Sequence, residues 1–334
     1  MGVMKKMRIL ILIHPELNPL KRGLSVSGRV DSPCKTEAHV YSALKKLGHQ
    51  PDFLELENHL DPLVKRINED PVDMVFNLLE ELSGEAKFDF HAVSYLESRG
   101  IPFTGNGPRA LMLSRDKNLS KLILRERRVK TPRSKLIGSE RDLKRTGLEF
   151  PVFLKLNIED ASRGITQKNR ALNQAELISI YRRLRTEFSE DLLLEEFVEG
   201  VDLSVGIVGN SRIRVLPARC LSTPSGRWVA DEKLKFQSAA RAHHKIRSVE
   251  KKWKSAEKKR SFEREARAIY AALGMRGYGR LDFRETASGE IHFLEANANP
   301  DLAKDEDFGL SARAVGMSYE GLIEEILALG RRKS

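Results

Sequence analysis

Apolar and amphipathic stretches alternate over the first third of the chain. The apolar run at 9–13 predicts a buried strand, and the spacing of apolar positions over 36–47 predicts a helix that ends before Gly48. A second helix is predicted near 88–99. Three further apolar runs predict strands at 51–56, 72–79 and 101–105. Strands separated by helices are typical of a parallel, doubly wound sheet.

The middle of the chain begins with a predicted helix that contains Asp116 and Lys117. Its other predicted elements are three strands and one helix, in the order 135–138, 151–156, 165–169 and 174–187. This pattern indicates a small lobe that mixes helices and strands.

The last part of the chain has an antiparallel pattern. A strand within 192–200 leads into a crossing between two lobes, and strands at 201–208 and 211–218 precede a long charged loop at 222–246. A helix that ends at Gly274 follows the loop. The remaining predicted elements are two strands and a final helix, at 278–285, 290–297 and 319–329.

We therefore predict an α/β chain in three parts. Residues 1–105 form an N-terminal Rossmann-like domain with a parallel sheet, and 106–195 form the small central α+β lobe. Residues 196–334 form a C-terminal lobe built on an antiparallel sheet. A length of 334 residues is sufficient for two or three domains, each with its own core.

The chain is basic, with a formal net charge of +11, and much of the excess lies in 124–135 and 241–260. A basic balance suits polyanionic partners, either nucleic acid or a nucleoside triphosphate. Trp253 is the one aromatic ring in 241–260, so a stacking surface for single strands is poorly supported there. We expect a solvated helix face and no nucleic-acid partner.

Two features of the composition bear on location. Cys34 and Cys220 are the only cysteines, which excludes a disulfide framework and fits a reducing cytosol. No apolar run approaches the roughly 20 residues that span a bilayer, and the run at 9–13 is too short for a signal peptide. We expect a cytoplasmic protein without membrane contact.

The stretch FLEANANP, residues 293–300, places a carboxylate and two carboxamides at alternate positions. Glu295, Asn297 and Asn299 would point to one side of an extended chain, because residues two apart share a face. Oxygen atoms gathered in this way suit a hard cation such as Mg²⁺. Solvent-facing strand ends with ordinary ion pairs are the alternative.

A hairpin would bring a second carboxylate to this stretch. With a four-residue turn at 286–289, Arg280 lies opposite Glu295 and Asp282 lies diagonal to it. Arg280, Asp282, Glu295 and Asn297 would then share one face. The prediction depends on the turn length, because a slip of one residue moves partners to opposite faces.

Lysines and a polar loop offer contacts for phosphates. Lys155 ends an apolar strand, where a buried ammonium is costly without an anionic partner. Ser162 and Gly164 in the loop that follows would present backbone N–H groups to phosphates. Lys117 lies near the start of its helix and would supply a second ammonium, although a solvated lysine is the simpler interpretation of that residue alone.

The predicted crossing after residue 192 offers contacts for a nucleoside. Backbone groups of residues 195–198 would hydrogen-bond an adenine edge, and Asp202 would accept from ribose hydroxyls. Lys235 lies in the long charged loop, which we expect to close over the phosphates as a lid.

Five stretches, taken in order, resemble the ATP-grasp superfamily and, within it, the D-alanine–D-alanine ligases. The resemblance covers essentially the whole chain and is strongest from residue 100 onward. The stretches are GIPFTGNGPRALMLSRDKNLSK, PVFLKLNIEDASRGI, LLLEEFVEGVDLSVGIVGN, GYGRLDF and FLEANANP. The resemblance implies an ATP-grasp fold in which ATP lies between the central and C-terminal lobes.

The resemblance also implies a role for each residue named above. Arg280, Lys235 and Ser162 are the implied catalytic groups: Arg280 for an oxyanion, Lys235 in the lid and Ser162 in the phosphate loop. Lys117 and Lys155 would bind phosphates. The other implied contacts are adenine with Glu195, Glu196, Phe197 and Val198, ribose with Asp202, and metal with Asp282, Glu295 and Asn297.

The implied reaction joins a carboxylate to an amine at the expense of ATP. A carboxylate takes the γ-phosphoryl group to form an acyl phosphate, and an amine then displaces phosphate. The resemblance implies ATP and two Mg²⁺ ions as cofactors, with Mn²⁺ as a substitute. It implies small-molecule carboxylate and amine substrates, and a homodimer.

The chain departs from the family's pattern around the amino-acid pocket. The segment 13–30 replaces a glycine-rich, acid-containing signature, and Glu80 stands in place of a histidine. Ala161 and Arg163 alter the phosphate loop, and Phe236 replaces a lid tyrosine. Because these changes spare the ATP and metal groups, we expect an amino-acid or small-peptide substrate other than, or in addition to, D-alanine.

Two alternatives remain open at this point. A kinase-like or acid–thiol variant would use the same activated group differently. A regulatory or nucleic-acid-binding protein would keep the ATP-grasp fold without ligase activity, as the basic stretch 241–260 suggests. The presence of Asp282, Glu295 and Asn297 argues against this second alternative.

Overall fold

The structure is a computed structural model of the chain. It describes residues 6–23, 32–158, 166–222, 245–248, 253 and 255–331. Ser162, Lys235 and most of the loop at 222–246 lie outside these described residues.

The described residues form thirteen strands and nine α-helices. The strands are β1 (Arg8–Ile13), β2 (Gln50–Glu55), β3 (Met74–Asn77), β4 (Ser134–Ile137), β5 (Val152–Leu156), β6 (Arg170–Ala171), β7 (Leu192–Glu196), β8 (Val201–Val208), β9 (Arg214–Val215), β10 (Arg219–Ser222), β11 (Lys245–Ser248), β12 (Tyr278–Glu285) and β13 (Ile291–Asn297). The helices are α1 (Lys35–Lys46), α2 (Asp61–Glu69), α3 (Phe90–Ser98), α4 (Pro108–Arg115), α5 (Lys117–Glu126), α6 (Gln174–Glu187), α7 (Ala256–Ala272), α8 (Asp307–Ala314) and α9 (Tyr319–Arg331).

A parallel sheet in the order β2-β1-β3 organises the N-terminal part, as predicted. Every residue of β1 after Arg8 is buried, as expected for a parallel strand covered on both faces. Helix α1 packs against α9, the last helix of the chain. The predicted strand at 101–105 is reduced to one parallel bridge between Val75 and Phe103.

An antiparallel sheet in the order β4-β7-β5-β6 forms the middle part of the chain. Helix α6 packs against β5 and β6. The buried residues of this sheet and helix form a core of their own, which includes Ile137, Leu154, Leu177, Leu184 and Leu194.

A third sheet, in the order β11-β10-β8-β12-β13 with β9 beside β8, forms the C-terminal part. Helix α7 buries Phe262, Ile269 and Tyr270. The ring of Phe262 meets that of Phe283 on β12 edge to face, with centroids 5.0 Å apart. The hydrophobic core beneath this sheet is continuous with the core of the N-terminal part.

The helix predicted across Asp116 and Lys117 is two helices, because Asp116 ends α4 and caps α5. Its carboxylate accepts a hydrogen bond from the Leu119 N–H at 2.9 Å, as an N-cap does. Both helices pack against β13. Lys117, the first residue of α5, is therefore placed beside the strand that carries Glu295.

Three local predictions differ from the structure. The predicted strand 165–169 contains a 3₁₀ turn at Gln167–Asn169, since the side chains of Thr166 and Asn169 cap each other's backbone. The predicted strand 211–218 is reduced to β9, with β10 as a separate strand. Helices α2 and α8 were not predicted.

Candidate active site

The hairpin of β12 and β13 carries the predicted metal ligands, and its turn is one residue longer than predicted. Glu285 pairs with Ile291, so the turn covers 286–290. A slip of one residue moves every later side chain to the other face of a strand. The turn alone would therefore separate the two carboxylates.

A bulge in β13 reverses this effect. Phe283 pairs with Phe293, whereas Asp282 pairs with Glu295, so Leu294 is an extra residue in the second strand. The extra residue restores the alternation, and Asp282 and Glu295 lie directly opposite each other on the same face.

The predicted register was thus wrong by two positions, although the predicted shared face is present. Arg280 lies opposite Asn297 and not opposite Glu295. The turn contributes one position of the error and the bulge contributes the other. Two errors of the same size cancelled in their effect on which face each side chain occupies.

Glu295 faces the two lysines predicted to bind phosphates. Its Oε2 lies 3.8 Å from Lys117 Nζ and 3.9 Å from Lys155 Nζ. Both lysine side chains are buried, whereas that of Glu295 is 22% exposed. The β13 carboxylate and both ammonium groups therefore meet at one cleft between α5, β5 and β13.

The polar end of β5 places Lys117 beside Lys155. The carbonyl of Asn157 accepts from the Lys117 N–H at 3.2 Å, and its side-chain oxygen accepts from the Asn118 N–H at 2.9 Å. The Asn157 amide in turn donates to Asp116 at 2.9 Å. Asn157 follows Lys155 by two residues, so the strand that carries one lysine holds the helix that carries the other.

Behind these lysines lies a buried ionic network centred on Glu195. Its carboxylate oxygens lie 2.8 Å from Lys121 Nζ and 3.0 Å from Lys155 Nζ. Burial alone would lower the pKa of Lys155, but its attraction to Glu195 and Glu295 outweighs burial and raises the pKa. Lys155 is therefore a permanent cation at the floor of the cleft.

Lys121 has the opposite balance. Burial, only partly offset by Glu195 and reinforced by Lys155, lowers the pKa of Lys121 to about 8. Burial favours the neutral form of Glu195, but the two lysines outweigh it, and the pKa of Glu195 is lowered. Glu195 is thus a shared counter-ion for two buried lysines.

Arg280 donates hydrogen bonds from two nitrogens to the Asp282 carboxylate. Its Nε lies 2.9 Å from one carboxylate oxygen of Asp282 and its Nη2 lies 2.8 Å from the other. Burial would lower the pKa of Arg280, but Asp282, Asp307 and Glu295 together raise it. Arg280 therefore fixes the orientation of the Asp282 carboxylate.

The predicted alternation of Glu295, Asn297 and Asn299 holds for the first two residues only. The side-chain oxygen of Asn297 accepts from the Asn299 N–H at 2.8 Å. The Asn299 carboxamide accepts from the Tyr278 hydroxyl at 3.0 Å and donates to the Leu79 carbonyl at 3.1 Å. Asn299 therefore ties the C-terminal part to the N-terminal part and is not a ligand beside Glu295.

The predicted adenine contacts are the last two residues of β7, Glu195 and Glu196, and the two residues that follow the strand. The N–H groups of Glu196 and Phe197 donate to the carbonyls of Arg133 and Pro151, at 2.8 Å and 3.0 Å. The guanidinium of Arg170 lies 4.6 Å from the centre of the Phe197 ring. The crossing is held by neighbouring strands on both sides.

Arg284 donates hydrogen bonds to both Val198 and Asp202. Arg284 lies directly opposite Asp202 in the β8–β12 pair and donates to its carboxylate at 2.5 Å and 2.8 Å. It also donates to the Val198 carbonyl at 3.2 Å. Arg284 is buried, and the Asp202 side chain remains 29% exposed. The predicted ribose acid is therefore held in place by a buried cation.

Sequence reasoning missed Lys121, Arg284 and Asn157. Lys121 lies four residues after Lys117, on the same face of α5, and that spacing was a usable signal. Arg284 follows Asp282 by two residues on the same strand face, which was a second signal. Asn157 gave no signal that distinguished it from a loop residue.

Two kinds of feature are absent from the described residues. No three His, Cys, Asp or Glu side chains converge there as a metal site, and the predicted set instead has two carboxylates and one carboxamide. No helix in the described part of the chain has both the length and the apolar character needed to cross a membrane.

Comparison with known proteins places the chain in a family. The family model of the D-ala D-ala ligase C-terminus matches residues 127–328. An uncharacterized protein, y4sG, from Sinorhizobium fredii is 31% identical over 306 residues, 88% of this chain and 87% of that protein. A D-alanine–D-alanine ligase from Carboxydothermus hydrogenoformans is 29% identical over 308 residues, 89% of this chain and 92% of the ligase.

Solved structures share the fold. The D-alanine–D-alanine ligase of Bacillus anthracis, crystallised with ATP, superposes with a TM-score of 0.74 over 98% of this chain and 97% of the ligase, at 22% identity. The VanG D-Ala:D-Ser ligase of Enterococcus faecalis gives a TM-score of 0.71 over 98% of this chain and 100% of VanG, at 19% identity.

The parallel N-terminal sheet, the two antiparallel sheets and these structural neighbours define an ATP-grasp fold. The match of the family model and the 31% identity to y4sG show more than the fold. The chain belongs to the D-alanine–D-alanine ligase family.

Proposed function

We propose that this protein is an ATP- and Mg²⁺-dependent carboxylate–amine ligase that works through an acyl phosphate. Its substrate is an amino acid or small peptide other than, or in addition to, D-alanine. The family and the similarity to a D-alanine–D-alanine ligase from Carboxydothermus hydrogenoformans support the reaction class. The departures at Glu80 and 13–30 support a different amino-acid pocket.

One observation carries the proposal. Glu295 lies within 4 Å of both Lys117 and Lys155 and directly opposite Asp282. A cleft lined by two carboxylates and two ammonium groups matches a triphosphate that is bound together with a divalent cation. The ammonium groups suit the phosphates and the carboxylates suit the cation.

The residues present fit the metal that the family implies. Asp282, Glu295 and Asn297 offer hard oxygen donors on one face of the hairpin, and Mg²⁺ prefers such donors. These three residues would hold the ion. When bound, the ion supplies positive charge that neutralises the triphosphate during phosphoryl transfer.

The chain's own cations do the rest of the charge neutralisation in this proposal. Lys117 and Lys155 hold the phosphates and reduce the repulsion between the substrate carboxylate and the triphosphate. Arg280, oriented by its two bonds to Asp282, donates to the oxyanion that develops when the amine attacks. We assign Lys235 to the lid and Ser162 to the phosphate loop on their positions in the sequence.

The nucleoside lies at the crossing after β7 in this proposal. Backbone groups of residues 195–198, other than the N–H groups of Glu196 and Phe197, hydrogen-bond the adenine edge, and Asp202 accepts from the ribose hydroxyls. The exposed part of the Asp202 carboxylate and its anchorage by Arg284 support this role. The partners are small-molecule carboxylate and amine substrates, and we place the reaction in the cytoplasm.

Trapping with hydroxylamine tests the reaction class. The protein is incubated with ATP, MgCl₂ and a panel of amino acids and dipeptides, and phosphate release and hydroxamate formation are measured together. A ligase that forms an acyl phosphate gives phosphate and hydroxamate in parallel. Phosphate transfer to a hydroxyl without any hydroxamate would instead support a kinase and overturn the proposal.

A further inference from the structure

A second group of polar residues lies where the first turn of α1 meets the segment that follows the metal hairpin. The Thr36 hydroxyl donates to Asp301 at 2.5 Å, and the N–H of Lys304 donates to His39 Nδ1 at 3.3 Å. Thr36 and His39 flank Glu37 on α1. Glu37 is thereby held against the 301–304 segment.

Glu37 has a buried carboxyl group that accepts a hydrogen bond from its own backbone N–H, and one of its two oxygens lacks a partner among the described residues. The residue is 4% exposed, and among the described residues its Oε2 has no hydrogen-bond partner. Burial, together with the nearby carboxylates of Glu80 and Asp301, raises the pKa of Glu37 to about 8. A buried carboxyl oxygen without a partner is unfavourable, and a ligand that donates a hydrogen bond to Oε2 would remove that cost.

The cations near Glu37 are directed elsewhere. Lys35 Nζ lies 2.5 Å from Glu306 and 3.3 Å from Asp305. Lys304 acts on His39, where burial first and then this ammonium lower the pKa of the imidazole to about 4. His39 is therefore neutral at physiological pH and does not neutralise Glu37.

Two more buried polar atoms border the same place. Among the described residues, His39 Nε2 and the Tyr319 hydroxyl also have no hydrogen-bond partner. The rings of His39 and Tyr319 meet edge to face, with centroids 6.1 Å apart. Burial and the charges of Asp301, Glu320 and Glu37 raise the pKa of Tyr319 well above its usual value, so it stays protonated.

This group adjoins the proposed reaction cleft. Asn299 lies between Asn297 of the hairpin and Asp301 of the acidic group. Its side chain bonds the Leu79 carbonyl, and Glu80 is the next residue along the chain. Glu80 and Asp301 are exposed at the surface, whereas Glu37 is buried. Both exposed carboxylates are near enough to Glu37 to raise its pKa, so one buried acid and two exposed acids lie close together.

We propose that Glu37, Glu80 and Asp301 form a recognition site for a protonated amine of the substrate, a proposal that rests on the ligase function above. The amine enters between Glu80 and Asp301, and one of its N–H groups donates to Glu37 Oε2. An ammonium group has three donors, and the site offers three carboxylates. A neutral side chain would leave Glu37 without a partner, so the site selects cationic substrates.

The amine has two possible sources, the α-amino group or a side-chain amino group. Four probes separate them: alanine with an α-amino group alone, 2,3-diaminopropionate and ornithine with both, and lactate with neither. Their affinities are measured by calorimetry in the presence of ADP and MgCl₂, and their turnover is measured by phosphate release. Glu37→Gln is compared with Glu69→Gln, a control on the exposed end of α2.

The positive charge of a bound ammonium favours the ionised form of Glu37, which glutamine cannot adopt. We therefore expect Glu37→Gln to lose a charge-assisted hydrogen bond and to weaken binding of the recognised amines by about tenfold or more. Lactate is expected to be unaffected, and so is every probe with Glu69→Gln. A loss of affinity for the two diamino acids alone would assign the site to a side-chain amine. A loss of affinity for alanine as well would assign it to the α-amine.

A second variant tests the site in case Glu37→Gln does not fold. Asp301→Asn keeps the oxygen that accepts from Thr36 while it removes a charge at the entrance. We expect it to weaken binding of the same amine probes that Glu37→Gln affects, and to leave lactate binding unchanged. Equal affinities in wild type and both variants, or equal losses for lactate and the amines, would overturn the site. Calorimetry keeps this test separate from the ligase proposal, because amine binding is measured even if no probe is turned over.

Discussion

Lys121 donates a hydrogen bond to the carbonyl of Leu294, the extra residue of the bulge in β13. The same ammonium lies 2.8 Å from Glu195, the counter-ion of Lys155. A single buried side chain thus holds the irregular point of the hairpin and one side of the phosphate-facing network. The position of Glu295 in the cleft depends on a residue that does not reach the cleft.

Replacing Lys121 with methionine is expected to destabilise the fold by about 3 kcal/mol, because it breaks a buried ion pair and leaves the Leu294 carbonyl without its donor. Urea unfolding measures the loss. Lys65→Met, on the exposed face of α2, is the control and should change stability little. A Lys121 variant as stable as the control would show that the network does not hold the bulge.

Glu295→Gln is expected to lower Mg²⁺-dependent ATP turnover by about a hundredfold or more with the fold intact, since it removes a carboxylate from the proposed metal set. Phosphate release measures the effect, and circular dichroism checks the fold. Glu290→Gln, in the turn of the same hairpin, should retain activity. Normal turnover in the Glu295 variant would contradict the metal assignment.

Asp202→Asn is expected to raise the Kd for ATP by about tenfold while turnover at saturating ATP continues. The asparagine keeps an oxygen for Arg284, so the change tests the charge of the proposed ribose acid and not the packing around it. Asp202→Ala, which also leaves buried Arg284 without its ion pair, should lose stability in addition. Calorimetry with ATP decides, and an unchanged Kd in both variants would refute the ribose role.

Glu37 is expected to make stability fall as pH rises. Its pKa is about 8 in the fold against 4.5 ordinarily, so between these values the unfolded chain loses a proton that the folded chain keeps. The free energy of unfolding of the wild type should therefore fall relative to that of Glu37→Gln across this window and level off above it.

Urea unfolding at several pH values, without ligand, measures this difference. His39 and Tyr319 beside Glu37 are present in both proteins, so the comparison isolates the carboxyl group. Glu69→Gln should run parallel to the wild type. A difference between wild type and Glu37→Gln that does not change with pH would show that Glu37 is ionised in the fold.

The sequence predicted the elements well because most carry a clear period of apolar positions. Strand β1 and helix α6 lie close to their predicted bounds, and α7 ends close to its predicted end at Gly274. The stretch 165–169 misled because Ile165 and Thr166 favour strands, whereas side-chain capping between Thr166 and Asn169 decides the local structure.

The meeting of three candidate residues was predicted from the sequence, whereas the geometry of the hairpin was not, and the roles of these residues stay predictions. Lys117, Lys155 and Glu295 do meet, as their order along an ATP-grasp chain suggests. The register of the hairpin was not predictable, because turn length and a bulge leave no mark in the apolar alternation. The buried partners Lys121 and Arg284 depend on contacts between distant strands and helices, which a single sequence does not show.

Helix α5 begins ten residues before the family segment at 127–328, and this sets a limit on dissection of the molecule. A fragment cut at that border would lose Lys117 and Lys121 together. Glu195 would then have Lys155 as its one remaining lysine neighbour in the described part of the chain, and the bulge at Leu294 would lose its donor. For the proposed triphosphate binding, a fragment must therefore start upstream of α5, outside the segment that the family model matches.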